Sequence, residues 1–229
     1  ARQLGRQVVV VSEYGITKVN RPVFLNRVLR RRGWVEVQSA RNGELLEAGQ
    51  SGAFAACSHQ VAHIYVRQAK DIDSVRKLLE STAGVETILD RVQQESAGLN
   101  HTRSGELVAV AAADSWFAYP YWLEDADAPD FASCVAIHDK PGHDPAEMFL
   151  GSAGKSRIAK RLLQSKLGLR APYDVISLDA NLIRGSHGRM PDTPDDGPLL
   201  ITDWPRHSSP TLPMTAVKSV ILERLTEAG

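Results

Sequence analysis

The stretch QVVVVSEYG, residues 7–15, is the most informative segment of this 229-residue chain. Its β-branched run, Val8 to Val11, is typical of a strand buried on both faces, as in a parallel sheet. Glu13 follows the strand directly, and ligands of open α/β sheets gather at the carboxyl ends of strands. A carboxylate there can bind a divalent cation, with Tyr14 beside it as a weaker ligand or hydrogen-bond donor. The alternative interpretation is an ordinary turn from strand to loop.

Helical and extended patterns alternate outward from this strand. The helices are predicted at residues 22–33, where Pro22 opens the helix, and at 71–81, 157–167 and 214–225. The further strands are predicted at residues 34–37, 61–66, 107–112, 135–138 and 199–202. This alternation predicts the α/β class, in a single α/β domain over residues 1–229. Because little sequence precedes the first strand, we expect the C-terminal segment of a larger domain or one half of a split protein.

Composition excludes several classes of protein. Lys plus Arg and Asp plus Glu both number 27, so the total charge gives no indication of a nucleic-acid or membrane partner. No apolar run approaches the roughly 20 residues of a membrane span. Cys57 and Cys134 lie far apart and lack the spacing of a zinc knuckle or a redox pair. Two reduced thiols are typical of a cytoplasmic protein.

A second candidate site lies near the end of the chain, in the string GSHG at residues 185–188. His187 stands between two glycines, which let the backbone approach a ligand closely. A neutral imidazole is the commonest protein ligand of zinc, and the flanking Arg184 and Arg189 have the chemistry to contact phosphate oxygens. The alternative interpretation is a histidine on a surface loop.

Two further pairs of histidines leave alternatives open. His59 and His63 have the i, i+4 spacing that brings two ligands together on a helix. The strand pattern of residues 61–66 would instead hold them about 13 Å apart, so that only one of them lines the site. His138 and His143 flank a Pro-Gly turn and can face each other as a separate single-metal site. The structural alternative is that Asp144 caps a short helix beginning at Pro145.

In order and spacing, seven strings together resemble a known family. They are VVVVSEYGI (8–16), RPVFLNRVLR (21–30), HQVAHIYV (59–66), RSGELVAVA (103–111), WFAYPYW (116–122), IHDKPGHDP (137–145) and RGSHGR (184–189). The chain resembles the C-terminal half of bacterial nucleotide pyrophosphatase/phosphodiesterase-type proteins of the alkaline phosphatase superfamily. This resemblance implies a three-layer α/β/α sandwich and a two-metal centre, usually of zinc.

The resemblance also implies roles for particular residues. Glu13 and Tyr14 take the positions of Asp and His in the superfamily's Ser-Asp-His-Gly motif, and His187 takes the position of the closing histidine ligand. Ser58 stands where relatives carry Asp. The nucleophile of the superfamily comes from the N-terminal half, so none is assigned here. Glu13 and His187 are therefore expected close together as metal ligands, with Tyr14 nearby.

The function expected from this resemblance is metal-dependent hydrolysis of a phosphate diester or pyrophosphate bond by a larger enzyme. Its partner would be a phosphate-ester or nucleotide-like small molecule, and the segment alone would be inactive. The candidates for contact with the substrate or with the metal ligands are Tyr14, His59, His63, His138 and Arg189. The alternative is a degenerate, non-catalytic binding or interaction module of the same fold. Self-association or pairing with a missing N-terminal half is also expected.

Overall fold

The computed structural model describes residues 7–151, 154–169, 171–204 and 211–227. The chain divides into two compact units. The large unit is Thr17–Arg189, and the small unit combines Ala1–Ile16 with Met190–Gly229. The single domain expected over residues 1–229 stays a prediction.

Helices separate runs of one to four strands along the described residues. The strands are β1 (Val9–Val11), β2 (Thr17–Lys18), β3 (Arg21–Val23), β4 (Val37–Ala40), β5 (Gly43–Leu46), β6 (Ala53–Ser58), β7 (Val61–Val66), β8 (Val85–Leu89), β9 (Leu107–Ala111), β10 (Ser115–Phe117), β11 (Gly185–Ser186) and β12 (Leu200–Thr202). The helices are α1 (Leu25–Arg31), α2 (Ile72–Glu80), α3 (Arg91–Ser96), α4 (Gly154–Lys166) and α5 (Val217–Glu227). The predicted α/β class is confirmed.

The centre of the large unit is a four-stranded sheet in the order β6-β7-β9-β8. Every neighbouring pair in it is antiparallel. Side chains along β6 and β7 are alternately buried and partly exposed, as expected when one face of a sheet packs against the core. The bounds of β7 are those predicted, because its residues form a short, strongly apolar run.

Two helices contribute apolar side chains to the same core. Leu25 and Leu29 of α1 and Val75 and Leu79 of α2 are fully buried. In each helix the two residues are four positions apart, which places them on one face. They belong to one buried cluster with the inward side chains of the sheet and with Trp122. This core holds in place the sheet whose β6–β7 turn carries the candidate site.

The first strand differs from its prediction. In the small unit, β1 pairs antiparallel with β12, and Val10 and Val11 are 49% and 46% exposed. The expectation of a parallel strand buried on both faces is therefore wrong. Within the described residues β12 is the one strand paired with β1, so this two-stranded sheet is not the larger parallel sheet that the prediction required.

Three local predictions in the large unit are also wrong. Pro22 lies within β3, which pairs parallel with β10, and the helix begins only at Leu25. Proline is tolerated in β3 because, among the described strands, β3 has a neighbour on one side only. The strand predicted at 34–37 begins at Val37. Residues 135–138 form no strand, and Val135 is 63% exposed.

The helices predicted at 71–81, 157–167 and 214–225 each begin and end within three residues of the predicted bounds. The helix predicted at 157–167 is α4, which begins three residues earlier at Gly154. A short 3-10 turn precedes α5, so the terminal helix proper begins at Val217. Among the described residues, no helix has both the length and the apolarity needed to cross a bilayer.

Candidate active site

The candidate site begins at the tight turn between β6 and β7. Ser58 pairs with Val61, so His59 and Gln60 alone form the turn. His59 has a φ of 56°, the left-handed conformation that side chains other than glycine rarely adopt. Its carbonyl oxygen accepts a hydrogen bond from the Phe117 amide at 2.7 Å. A strained backbone held by surrounding bonds is characteristic of functional sites.

Gln60 fixes this turn from inside the protein. Its side chain is 1% exposed, and its amide nitrogen donates to the carbonyl oxygens of Ser115 at 3.1 Å and Ala113 at 3.4 Å. Its backbone amide donates to the carbonyl oxygen of His187 at 2.9 Å. Gln60 therefore connects the β6–β7 turn to the GSHG string across more than 120 positions of sequence.

His143 reaches the same place on a different loop. Its backbone amide donates to the Cys57 carbonyl oxygen at 2.7 Å, and the Cys57 amide donates to the Pro141 carbonyl oxygen at 3.2 Å. Gly142, between them, has a φ of 120°, and a Cβ there would overlap the backbone of Cys57. The Pro-Gly turn thus lets this loop lie against the end of β6.

His187 follows the short strand β11, which pairs antiparallel with β2. Gly188 has a φ of 114°, and a Cβ added there would lie 3.3 Å from a methyl group of Val61. Gly188 therefore lets this loop lie close to the start of β7. His187 is partly buried at this position.

These three elements bring His59, His143 and His187 together as one histidine cluster. The ring centroid of His59 lies 4.0 Å from that of His187 and 4.8 Å from that of His143. The Nδ1 atom of His59 is buried and has no hydrogen-bond partner among the described residues. Burial, followed by the neighbouring His187 and His143, lowers the pKa of His59 to about 4. Burial and His143 also lower the pKa of His187.

The cluster is therefore uncharged on His59 and His187 at neutral pH. A neutral imidazole has one ring nitrogen with a free lone pair, which can accept a proton or bind a metal. By donor type the cluster suits zinc or a similar divalent cation. By arrangement it does not complete a site, because no group of three His, Cys, Asp or Glu side chains among the described residues is placed to hold a metal.

The other predicted metal ligand lies elsewhere in the chain. Glu13 and Tyr14 are exposed on the loop after β1 and belong to the small unit, whereas His187 belongs to the large unit. The hydroxyl of Ser12 donates to the carbonyl oxygen of Tyr14 and so shapes this loop locally. The expectation that Glu13 and His187 share a metal centre stays a prediction.

The remaining candidates have local roles. His63 lies within β7, and its Nδ1 accepts a hydrogen bond from the Gly105 amide at 3.3 Å. Burial and the charge of Arg91 lower the pKa of His63. His138 is exposed on the turn at residues 137–139. The Arg189 guanidinium pairs with both carboxylate oxygens of Glu86, so its direct use for phosphate would require that pair to open.

Sequence reasoning missed a buried charged group next to His143. Lys140, whose side chain is fully buried, donates to Asp144 at 2.8 Å and to Glu147 at 2.7 Å. Asp144 also caps the 3-10 turn Pro145–Met148 through the Ala146 amide at 3.0 Å, so the capping interpretation is confirmed. The spacing of Lys140 and Asp144 gave no signal, because residues 140–144 form no helix that would place them on one face.

Solved structures similar to this chain include phosphonoacetate hydrolase and an ectonucleotide pyrophosphatase/phosphodiesterase. Phosphonoacetate hydrolase from Sinorhizobium meliloti 1021, in complex with phosphonoacetate, has a TM-score of 0.38 and 15% identity, covering 61% of this chain and 33% of that one. Its complex with phosphonoformate has a TM-score of 0.37 and 17% identity, covering 51% of this chain and 29% of that one. Murine ectonucleotide pyrophosphatase/phosphodiesterase 5 has a TM-score of 0.33 and 16% identity, covering 54% of this chain and 28% of that one.

The chain thus spans between 28% and 33% of the length of these three structures. Among curated proteins none matches it. The family described as Type I phosphodiesterase / nucleotide pyrophosphatase matches residues 2–144, which is more than half of the chain. The matched segment contains Glu13, Tyr14, His59 and His143, and it ends before His187. The chain belongs to the type I phosphodiesterase/nucleotide pyrophosphatase family.

Proposed function

We propose that this chain forms part of a hydrolase that cleaves a phosphate diester or pyrophosphate bond in a nucleotide-like small molecule. The observation that carries the proposal is the family match over residues 2–144. The histidine cluster supports it, because three separate segments meet there and burial keeps His59 and His187 uncharged. The reaction belongs to the intact protein, of which this chain supplies one part of the site.

In this proposal His187 and Glu13 each supply a ligand to a divalent-metal centre, for which zinc is the best match to the donor types. The remaining ligands and the nucleophile come from the rest of the protein. Such a metal, when bound, polarises a phosphoryl oxygen and stabilises the leaving oxygen. His59 packs against the ring of His187 and limits the orientations open to it. Gln60 holds the backbone of the same histidine through its amide.

The test uses the intact protein with a nitrophenyl phosphodiester and with a nucleoside triphosphate. A chelator is expected to abolish turnover and added zinc to restore it. We expect His187→Ala and Glu13→Ala each to lower kcat/KM by about 100-fold or more, since loss of a metal ligand removes stabilisation made in the transition state. His101→Ala is the matched control, because His101 is exposed and lies outside the histidine cluster.

Turnover by the intact protein that survives the chelator, or that both variants leave unchanged, would contradict the proposal. A second candidate function is a non-catalytic module that binds the same small molecules. It is favoured by one observation, namely that no three His, Cys, Asp or Glu side chains in the described part of the chain are placed to hold a metal. Calorimetric binding of a nucleotide, without turnover under any divalent metal, would support this alternative.

Two further expectations are part of the proposal. We place the protein in the cytoplasm, because Cys57 and Cys134 are both free thiols. We also propose that apolar side chains exposed on β1 and β12, such as Val10, Val11 and Ile201, promote association with another copy or with the rest of the protein. Sedimentation of the intact protein with and without Val10→Thr tests the second expectation.

A further inference from the structure

The helix α4 differs in charge from the rest of the chain. Residues 154–169 contain Lys155, Arg157, Lys160, Arg161 and Lys166, and they contain no Asp or Glu. The chain as a whole has equal numbers of acidic and basic residues. The helix itself has 13 residues, which gives a rod about 20 Å long. This part of the surface therefore carries a local positive charge that the neutral total conceals.

One side of α4 is attached to the large unit. Ile158 packs against a small buried apolar cluster. Arg161 forms two parallel hydrogen bonds to Asp174, from Nε at 2.8 Å and from Nη2 at 2.7 Å. These contacts fix the rotation of the helix about its axis. They also determine which of its residues face away from the protein.

The outward side carries two large aliphatic side chains. At about 100° per residue, Leu167 lies opposite Ile158, and Leu163 lies about 140° from it. The Leu167 amide donates to the Leu163 carbonyl oxygen at 3.1 Å, so helical geometry extends to Leu167. Leu163 is 60% exposed and Leu167 is 67% exposed. Packing within the described part of the chain explains neither position.

Lysines border these leucines on both sides. By the same rotation, Lys155 and Lys166 lie on one side of the leucine pair and Lys160 lies on the other. All three lysines are exposed. We call these five residues, Lys155, Lys160, Leu163, Lys166 and Leu167, the α4 strip. An apolar centre with a basic border is the pattern of a helix that lies in the surface of a bilayer.

We propose that the α4 strip docks onto the anionic headgroup surface of a membrane. Leu163 and Leu167 would enter the boundary between headgroups and acyl chains. The flexible stems of the lysines would lie along this apolar surface while their ammonium groups reach lipid phosphates and carboxylates. The attraction is to anionic lipids, because the strip and its helix carry only positive charges.

Other occupants fit these observations less well. The centres of protein interfaces are depleted of lysine, whereas three lysines surround the two leucines here. Proteins that bind single-stranded nucleic acids combine basic grooves with aromatic stacking platforms, and the α4 strip has aliphatic side chains and no aromatic one. A bilayer surface accommodates both features, since it offers an apolar layer directly beneath a charged one.

The test is co-sedimentation of the intact protein with vesicles of phosphatidylcholine, with and without phosphatidylserine. We expect binding only to the vesicles that contain phosphatidylserine, and weaker binding at high salt. The double variant K160Q/K166Q should bind about 25-fold more weakly, at about fivefold per lysine. The double variant L163Q/L167Q should lose at least about tenfold, because two apolar side chains no longer enter the lipid.

The matched controls carry the same substitutions outside the α4 strip. K70Q/K77Q changes two exposed lysines at α2, and Leu99→Gln changes an exposed leucine. All variants must keep the wild-type thermal melt by circular dichroism. Absent binding, equal binding to both vesicles, or equal effects of strip and control variants would overturn the proposal. So would a wild-type oligomer that L163Q/L167Q dissociates without any vesicle binding, since the strip would then be an interface between copies.

Discussion

Two neighbouring clusters in the large unit bury titratable side chains in opposite ways. The histidine cluster keeps His59 and His187 uncharged, because burial lowers the pKa of both. One residue beyond His143, Asp144 begins a cluster in which charges are paired instead, with Lys140 between two carboxylates. In the first cluster a ring nitrogen of His59 has no partner among the described residues. In the second, the buried lysine donates to both acids.

This difference distinguishes side chains that can bind a ligand from side chains that hold the binding loop in place. Side chains whose hydrogen bonds are already satisfied offer nothing to a ligand, whereas a buried nitrogen without a partner retains its capacity to bind. The paired charges around Lys140 hold the loop that carries His143. The uncharged His59 ring then retains a buried nitrogen that can interact with a substrate or a metal. The predictions below test this division of roles.

The largest effect is expected from Lys140→Met. It leaves Asp144 and Glu147 buried without their cation, and breaking a buried ion pair typically costs about 3–5 kcal/mol. Lys77→Met, at an exposed lysine of α2, should change stability by less than about 0.5 kcal/mol. Urea denaturation measures both. If Lys140 stabilises the fold by pairing with the two carboxylates, adding Asp144→Asn and Glu147→Gln to Lys140→Met should restore part of the lost stability. No restoration would show that the lysine acts through packing alone.

A smaller loss is expected from Gly142→Ala, which affects the loop between the two clusters. The added Cβ would overlap the Cys57 carbonyl oxygen, and the φ of 120° is unfavourable for alanine, so we expect a loss of about 2–4 kcal/mol. Gly98→Ala is the control, since its φ is 70° but a Cβ there meets nothing within 4 Å. It should lose about 1 kcal/mol. Equal losses at the two positions would mean that contact with β6 does not constrain the loop.

These clusters also show what the sequence could predict. The strand at residues 61–66 was found with its bounds, because a short apolar run is a local signal. Pro22 was misplaced, because its fixed φ suits the start of a helix and an edge strand equally well, and only the pairing with β10 decides between them. The local sequence pattern therefore predicts strands and helices but does not predict which strands pair with each other.

The histidine cluster was only partly predictable for the same reason. His59 and His187 were singled out, and so was the possibility that one histidine of the first pair lines the site. Their meeting with His143 depends on bonds between distant segments, from Gln60 to His187 and from His143 to Cys57. Neither the glutamine nor the long-range bonds have a signature in a single sequence. The charge of α4 was visible in the local sequence, although the neutral total of the chain does not show it.

The pH dependence of stability distinguishes the two clusters more finely. The folded pKa of His59 is about 4 and its ordinary value is 6.5, so the unfolded chain binds more protons between these values. The contribution of His59 is therefore fully present above pH 6.5 and is lost as the pH falls towards 4. Because the residue is only half-buried, we expect about 1–2 kcal/mol rather than the full value of the shift.

Urea denaturation of the wild type and of His59→Asn between pH 4 and 7 measures this effect. Asparagine tolerates the left-handed backbone and has no proton to gain in this range. The variant should therefore show a flatter profile than the wild type. An unchanged profile would mean that His59 is protonated as readily in the folded protein as in the unfolded chain.

The smallest expected effect isolates the backbone of the His59 turn. His59→Gly and His59→Ala both remove the imidazole, so the lost ring contacts cancel when the two variants are compared. Glycine adopts a φ of 56° without strain, whereas this conformation destabilises alanine by about 1 kcal/mol. The glycine variant should therefore be more stable by that amount. At Ser74, an exposed residue of α2, the order should reverse, because alanine is favoured over glycine in a helix by about 1 kcal/mol. Urea denaturation of the four variants measures both differences. If alanine is favoured at both positions, the turn does not require a left-handed residue. The strain assigned to His59 would then have no part in orienting its ring towards His143 and His187.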